Sequence, residues 1–313
     1  MTPSNPLKTP DRLLGKIALP AAGAVVYDRS PIKSLIQITA TALSRLDAVT
    51  NNANIAAELT IAEQVQANIL NAKHPQTKAL KLATHYQPAE RLGGDWFAFI
   101  EDHGRNSVYI LIGDVTGHGV AQGVIAAAIR GATSILEWHI QHAPDVTSPE
   151  DINALLNHIL AGFSDSSSMQ MTSQSVRLDL NTGQLAVSNS AHTFPFLFRR
   201  TETGHKVSHL TSSDFSGTRR LARGYREFQL EQGDMLMFYT DGLIEAQDED
   251  GRSFGRRLIR QLKHEPLAST PTCLKEMVKT ELARHLNGAS QLDDVCFVVL
   301  EYSPKAGTNQ RAS

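Results

Sequence analysis

The sequence has few of the features that mark secreted, redox-active or nucleic-acid-binding proteins. It contains only two cysteines, Cys273 and Cys296, and their spacing fits neither a zinc site nor a redox pair, so we expect both to be core thiols. Lys and Arg total 30 against 32 Asp and Glu, which gives a net charge of −2. No basic block and no interleaving of basic with aromatic residues is present, so we expect no nucleic-acid ligand.

Long apolar runs are also missing, and this bears on membranes. A helix needs about 20 apolar residues to cross a bilayer. The best candidate, residues 17–26, contains Pro20 and Gly23, and no convincing signal-peptide cleavage pattern follows it. We therefore expect a cytoplasmic protein without a membrane span. The remaining composition, 41% hydrophobic and 20% charged residues, is that of a globular protein with one large domain and an appendage.

Four aspartates are the most informative residues that are present. Asp95, Asp114, Asp241 and Asp293 each lie at one end of a predicted strand, in a glycine-marked or acidic turn. A glycine beside such a carboxylate lets it be aimed at a point outside the sheet. Unpaired carboxylates repel when they converge, so convergence implies cations, and an all-oxygen ligand set suits hard ions such as Mg²⁺ or Mn²⁺. The sequence therefore predicts a two-metal hydrolase site.

The motifs around these aspartates resemble the SpoIIE-type branch of the metal-dependent type 2C (PPM) serine/threonine protein phosphatases of bacteria. The resemblance runs from about residue 62 to residue 300 in six ordered blocks. These blocks are residues 63–70, 113–119, 189–192, 233–246, 254–258 and 293–295. One Asp-Gly pair alone would mean little, but six blocks in order at compatible spacing are a specific signal.

The resemblance implies an α+β fold, in which a β-sandwich is flanked by helix pairs and preceded by N-terminal regulatory helices. It divides the chain into a lead-in and helical regulatory segment (1–75) and a phosphatase domain (76–303). The composition of residues 304–313 predicts a disordered tail. Periodicity and turn residues predict the elements within this frame. The predicted strands are 81–86, 95–101, 108–114, 175–180, 184–189, 194–199, 234–240 and 294–301. The first predicted helix begins at Ser30, and the other predicted helices are 55–71, 118–142, 149–163, 253–263 and 271–286. Residues 201–224 are predicted to form a loop or flap.

The resemblance also implies roles for individual residues. Asp95 and Asp114 would lie at a pair of Mn²⁺ or Mg²⁺ ions, with Val115 contributing its backbone carbonyl. Asp241 and Asp293 would complete the coordination shells. The sequence contains no Cys or Ser nucleophile motif, which fits hydrolysis without a covalent phospho-enzyme. The glycine-rich stretch 113–119 lacks the features of a P-loop or dinucleotide fingerprint, so a nucleotide cofactor is not expected.

Several roles stay open at this stage. Either Asp293 or Asp294 is the last ligand. His118 is a general acid for the leaving serine oxygen or a structural residue of the turn between Gly117 and Gly119. His192 is expected to shape a turn near the site, and Arg91 either contacts substrate phosphate or is a solvated surface residue. The sequence departs from the family pattern at two positions, with Ala98 in place of an acidic residue and Ala191 in place of glycine. Neither position is one of the four matched aspartates, although Ala98 weakens the case for a third metal ion.

The second predicted helix carries an apolar stripe formed by Ile55, Leu59, Ala62, Val65 and Ile69. This stripe either packs on the catalytic domain or pairs with a second protomer. Lead-in helices in this family are commonly regulatory and often dimeric, which favours a homodimer formed through the N-terminal helices.

The resulting functional hypothesis is dephosphorylation of phosphoserine or phosphothreonine on a signalling partner in bacterial partner switching. By analogy with the family, that partner is a STAS-type anti-sigma-factor antagonist. One alternative is a non-catalytic signalling module that keeps the phosphatase fold. Another is a phosphatase that acts on small molecules.

Overall fold

The computed structural model describes residues 30–46, 52–117, 119–142, 145–163, 169–202, 204–210, 226–264 and 270–304. The predicted lead-in of residues 1–29 lies outside this range, as does the predicted tail beyond Pro304. Within the described part of the chain no helix is long and apolar enough to cross a membrane.

Helices and strands alternate in groups along the described chain. The helices are α1 (Ser30–Leu46), α2 (Asn52–Leu70), α3 (Val120–His142), α4 (Pro149–Ala161), α5 (Asp241–Glu245), α6 (Phe254–His264) and α7 (Pro271–Leu286). The strands are β1 (Leu80–Gln87), β2 (Asp95–Asp102), β3 (Ser107–Val115), β4 (Met171–Asp179), β5 (Gln184–Ser190), β6 (Phe196–Thr201), β7 (Gly204–His209), β8 (Arg226–Gln229), β9 (Met235–Tyr239) and β10 (Val295–Tyr302).

The strands form two five-stranded sheets in which neighbouring strands are antiparallel. The first sheet has the order β1-β10-β9-β6-β7, and the second has the order β2-β3-β4-β5-β8. The sequence-predicted hairpin is present between β4 and β5, with Gly183 in the left-handed region at φ 76°. The chain passes several times between the sheets, so residues distant in sequence meet at the sheet ends.

Strand β3 shows why the sheets stack with helices outside them. Successive side chains of a strand point to opposite faces. Val108, Ile110 and Ile112 enter the core between the two sheets, together with residues of β1, β9 and β10. Tyr109 and Leu111 point the other way and pack with α3 and α4. A strand that is apolar on both faces must be covered on both sides, so the predicted helix–sheet–sheet–helix arrangement is confirmed.

The outer layers are helical on both sides of the sandwich. Helices α3 and α4 cover the second sheet, while α5, α6 and α7 cover the first. Helix α4 starts as predicted, because Ser148 and Asp151 form a reciprocal capping box and Pro149 follows the cap. Helices α1 and α2 of the lead-in pack against α3, so the helical segment contacts the sandwich.

Three elements and one cysteine differ from the sequence predictions. Strand β7 lies in the segment that the sequence analysis predicted as a loop. The strand was missed because, within the described chain, it pairs only with β6 at the sheet edge and its alternate residues are polar. Strand β8 and the short α5 were also missed. Residues 211–224 of the predicted flap lie outside the described chain. Cys296 is a buried thiol as expected, but Cys273 is exposed on α7, so the prediction of a core thiol is wrong there.

Candidate metal centre

The ends of four strands, β2, β3, β9 and β10, bring the predicted aspartates to one end of the sandwich. Asp95 begins β2 and lies directly opposite Asp114 of β3 in the second sheet. Asp241 begins α5, two residues after β9 ends, and Asp293 precedes β10 by two residues. Strands β9 and β10 are neighbours in the first sheet, with Tyr239 opposite Phe297. The topology therefore places two aspartates from each sheet at the same edge.

The ionisation of these carboxyl groups shows that they share one electrostatic environment. Burial and then the charge of Asp114 raise the pKa of Asp95 well above its usual value, with further contributions from Asp294 and Asp293. Burial and then Asp241, Asp293 and Asp294 raise the pKa of Asp114 to about 7. A carboxyl whose pKa rises because of its neighbours lies in a field that cations would relieve.

Asp293 belongs to the same group. Burial is the largest cause that raises its pKa, and Asp241, Asp294 and Glu245 raise it further, while the backbone N–H of Asp294 opposes the shift. The acidic side chains at this edge therefore repel one another across the two sheets. Among the described residues, no positively charged side chain contributes to the pKa shifts of these three carboxyl groups.

The structure separates the roles of Asp293 and Asp294. Asp294 is 2% exposed, and its two carboxylate oxygens accept the backbone N–H groups of Ala89, at 2.7 Å, and Gly94, at 2.5 Å. Asp293 is partly buried, and within the described residues its Oδ1 accepts a local N–H, from Asp294, at 2.8 Å. This geometry assigns Asp294 to the support of the turn before Asp95.

Asp95 is held by a second cross-sheet contact that the sequence did not reveal. The Thr240 hydroxyl donates to Asp95 Oδ2 at 2.7 Å, and the Thr240 Oγ1 accepts the Cys296 N–H at 3.0 Å. Thr240 is fully buried and directly precedes Asp241. The Thr240 hydroxyl fixes the orientation of the Asp95 carboxylate, and the Thr240 backbone continues into Asp241. Thr240 therefore joins the two sheets at the site.

Close backbone approach explains two of the glycines. A Cβ on Gly94 would lie 2.7 Å from the carbonyl oxygen of Val115, and a Cβ on Gly242 would lie 2.0 Å from that of Asp294. Neither position tolerates a side chain without movement of backbone. The carbonyl of Val115, the predicted backbone ligand, therefore lies against the turn that precedes Asp95.

Gln66 of α2 is a further residue of the site region that the sequence analysis missed. Its side chain is 4% exposed and its Nε2 donates to the carbonyls of Gly93, at 2.8 Å, and Gly123, at 2.9 Å. Its Oε1 accepts the Gly93 N–H at 3.3 Å. The available signal was a polar residue on the inward side of a helix, at four-residue spacing from partly buried Ala62 and buried Leu70.

Other residues that the sequence analysis singled out lie near the site and stabilise a turn or a helix contact. The Asn189 side chain bonds both the N–H of His192, at 2.8 Å, and its carbonyl, at 3.0 Å, and closes a turn in which Ala191 has φ 56°. His192 is buried, and burial lowers its pKa to about 4, so its imidazole is neutral at pH 7. Arg91 pairs with Glu63 and donates to Thr60 of α2 at 2.8 Å, so it anchors that helix. His118, the predicted general acid, lies outside the described residues.

The residues fit a hard divalent cation in their chemistry. All predicted donors are oxygens, and the carboxylates lie close enough to raise one another's pKa. Within the described residues, however, no three Asp, Glu, His or Cys side chains are close enough together to hold an ion. Coordination of one ion by several of these carboxylates therefore requires them to move closer together.

Comparison with known proteins places this arrangement in a family. The sequence profile of Stage II sporulation protein E (SpoIIE) matches residues 104–303, which contain three of the four aspartates; Asp95 precedes the match. Protein IcfG of Synechocystis sp. is 24% identical over 307 residues, covering 88% of this chain and 44% of IcfG. The phosphoserine phosphatase RsbU of Bacillus subtilis is 27% identical over 256 residues, covering 79% of this chain and 70% of RsbU. The chain thus spans less than half the length of IcfG.

The fold has a counterpart among solved structures. The SiaA-PP2C domain of Pseudomonas aeruginosa superposes with a TM-score of 0.60 at 21% identity, covering 80% of this chain and 98% of that domain. This likeness confirms the predicted type 2C phosphatase-like sandwich of the α+β class.

Proposed function

The chain belongs to the SpoIIE family, and from this premise we propose that it is a metal-dependent phosphatase that hydrolyses phosphoserine or phosphothreonine on a protein. The observation that carries the proposal is the group of aspartates from both sheets at a single edge, where burial and then the neighbouring carboxylates raise the pKa of Asp95, Asp114 and Asp293. The name of RsbU, a phosphoserine phosphatase, supports the same reaction.

The proposed ligands are the side chains of Asp95, Asp114, Asp241 and Asp293 and the backbone carbonyl of Val115. Two Mn²⁺ or Mg²⁺ ions bound there would offset the carboxylate charge, polarise the phosphate and make water nucleophilic at neutral pH. The residues around the ligands hold them in place. Thr240 orients Asp95, and Asp294 fixes the turn that precedes it.

Direct assay of metal dependence tests the proposal. Turnover of p-nitrophenyl phosphate and of a phosphoserine peptide should vanish in chelator and return with Mn²⁺ or Mg²⁺ more readily than with Zn²⁺, because the donors are oxygens. Asp114→Asn should lose turnover, while the exposed Asp145→Asn should keep it as a matched control. Full turnover after exhaustive metal removal would overturn the mechanism.

Other outcomes of the same assay separate the alternatives. A folded protein that hydrolyses neither substrate at any metal concentration is a non-catalytic signalling module. Turnover of free phosphoserine far above that of phosphopeptides and phosphoproteins indicates a small-molecule phosphatase.

For the physiological substrate we propose a phosphorylated STAS-type anti-sigma-factor antagonist, as the family resemblance implies. The domain division at residues 75 and 303 and a homodimer through the N-terminal helices belong to the same proposal. Exposed apolar side chains on the lead-in helices support the dimer: Ile61 is 61% and Val65 is 50% exposed. The predicted stripe is nevertheless split, since Leu59, Ala62 and Ile69 are partly buried while Val65 is exposed, and the side chain of Ile55 lies outside the described residues.

A further inference from the structure

An open groove of about 740 Å³ lies where α6, α7 and the α5–α6 loop meet. Four arginines line it: Arg252, Arg256, Arg257 and Arg260. The proposed phosphatase chemistry uses none of them. The groove is therefore a concentration of positive charge in a chain whose net charge is −2.

The loop that forms one wall is internally fixed. Asp248 Oδ1 accepts the backbone N–H groups of Asp250, at 3.0 Å, and Arg252, at 2.8 Å. A ring nitrogen of His285 on α7 lies 2.8 Å from the Arg252 carbonyl, so the loop is also tied to the helix behind it. The wall is held by its own hydrogen bonds and does not depend on a ligand for its shape.

Two of the four arginines have partners within the wall. Buried Glu281 of α7 accepts Arg257 Nη2 at 3.2 Å and Gln261 Nε2 at 3.0 Å, and it also pairs with Arg284. Arg252 pairs with Asp250 at 2.9 Å on the surface. The carboxylates that face the groove are thus engaged by the loop backbone or by these arginines.

The other two arginines are available to a partner. Arg256 and Arg260 are exposed, lie one helical turn apart on α6 and make no ion pair with any residue in the described ranges. Like charges at this spacing destabilise a helix slightly, so folding alone does not account for them. Ile259, 39% exposed, lies beside them. Two cations with an adjacent apolar side chain match a protein surface better than a small inorganic anion.

The groove is close enough to the aspartate edge for one protein to occupy both. Asp248 follows Asp241 by seven residues, which span at most about 25 Å even when fully extended. The helical α5 shortens that distance. A small domain is about 30 Å across. A bound phosphoprotein can therefore place its phosphate at the aspartates and another part of its surface over α6.

We propose that this groove docks an acidic segment of the phosphoprotein substrate through Arg256 and Arg260, an inference that rests on the proposed phosphatase function. The docking contact adds attraction for an acidic segment at a place away from the aspartate edge, where bound ions would offset the carboxylate charge. It contributes to recognition of the protein and leaves the hydrolytic step unchanged.

Two synthetic peptides test the proposal with the full chain. Both carry the same phosphoserine; one has a glutamate tract about eight residues away, a separation that reaches about 25 Å when extended, and the other has glutamines there. We expect kcat/KM for the glutamate peptide to exceed that for the glutamine peptide by roughly three- to tenfold at low salt. Arg256→Gln/Arg260→Gln should bring this ratio to about one, while turnover of p-nitrophenyl phosphate stays unchanged.

The matched control removes the same charge elsewhere. Arg200 of β6 and Lys206 of β7 are exposed. They lie at the end of the first sheet that is opposite the aspartate edge. Arg200→Gln/Lys206→Gln should keep the peptide preference. Thermal denaturation of both double variants checks that they are folded.

The outcomes distinguish failure of the docking site from failure of the proposed function. Turnover of p-nitrophenyl phosphate with equal kcat/KM for both peptides overturns the docking site and leaves the phosphatase proposal standing. Equal loss of preference in the two double variants shows a general charge effect and also overturns it. If no substrate is turned over, fluorescence anisotropy with labelled peptides decides, because the docking site requires tighter binding of the glutamate peptide that depends on Arg256 and Arg260.

Discussion

Replacement of Gln66 by methionine tests whether the lead-in helix holds the turn that precedes Asp95. Gln66 makes three hydrogen bonds from α2 to backbone groups of Gly93 and Gly123, and it is 4% exposed. Methionine is similar in volume and favours helices, so Gln66→Met removes the hydrogen bonds with little change in packing or helix propensity.

The expected loss of stability follows from the backbone groups that stay buried without a hydrogen-bond partner. The N–H and carbonyl of Gly93 both lose this partner, and each buried group left without one costs about 1–3 kcal/mol. Allowing for partial relaxation, we expect the free energy of unfolding to fall by about 2–4 kcal/mol. At this chain length the melting temperature should fall by roughly 3–6 °C.

Urea denaturation, thermal denaturation and Mn²⁺ titration of turnover measure the effect together. The exposed Gln64→Met, on the same helix, is the matched control and should change stability by less than about 0.5 kcal/mol. Because Gly93 and Gly94 lead directly into Asp95, Gln66→Met should also raise the Mn²⁺ concentration needed for half-maximal turnover. Equal unfolding free energies and equal Mn²⁺ requirements in the two variants would refute this reasoning.

The remaining predictions concern pH and the helix surface. In chelator-treated protein, burial and neighbouring carboxylates hold the pKa of Asp114 at about 7, above its ordinary 3.8, so its ionisation destabilises the fold as pH rises through this interval. Asp114→Asn should therefore stabilise more at pH 8 than at pH 5; an equal difference at both would contradict this. Burial lowers the pKa of His192 from 6.5 to about 4, so stability should fall as pH drops through that window, and less steeply in His192→Gln; identical slopes would count against it. If α2 forms a dimer seam, Ile61→Asp/Val65→Asp should lower the mass in light scattering while the variant stays folded; an unchanged mass would contradict the seam. Leu59→Asp, which changes a partly buried residue, should alter turnover several-fold; loss of stability alone would confine α2 to a packing role.

The sequence predicted the elements whose signals are local. Strand β3 is recognisable because Val108 to Ile112 are apolar on both faces, and α4 because Ser148 and Pro149 mark its start. The expectation that aspartates at strand ends meet at one edge also agrees with the sheet topology, since Asp95 and Asp114 are direct partners across β2 and β3. Such features depend on neighbours in the chain or on the order of strands, both of which the sequence carries.

Contacts that close the site could not be predicted in this way. Asp294 reaches Gly94 across 200 residues, and Gln66 reaches Gly123 across 57. Neither residue differs in local sequence from an ordinary turn acid or helix glutamine, because the difference is made by the backbone groups that happen to lie opposite. Strand β7 was missed for a related reason, since an edge strand needs only one partner and carries polar residues on its open side.

These distant contacts converge on one short segment, and that gives the aspartate edge its rigidity. The two oxygens of Asp294 hold Ala89 and Gly94, Gln66 holds Gly93, and Thr240 holds Asp95 itself. Strand β10, helix α2 and the end of β9 therefore all act on residues 89–95. A carboxylate that repels its neighbours in the absence of cations requires such support, because otherwise it would turn towards solvent. Of these supports in the described part of the chain, only helix α2 lies outside the sandwich, so a displacement of α2 would release Gly93 while Asp294 and Thr240 stay in place.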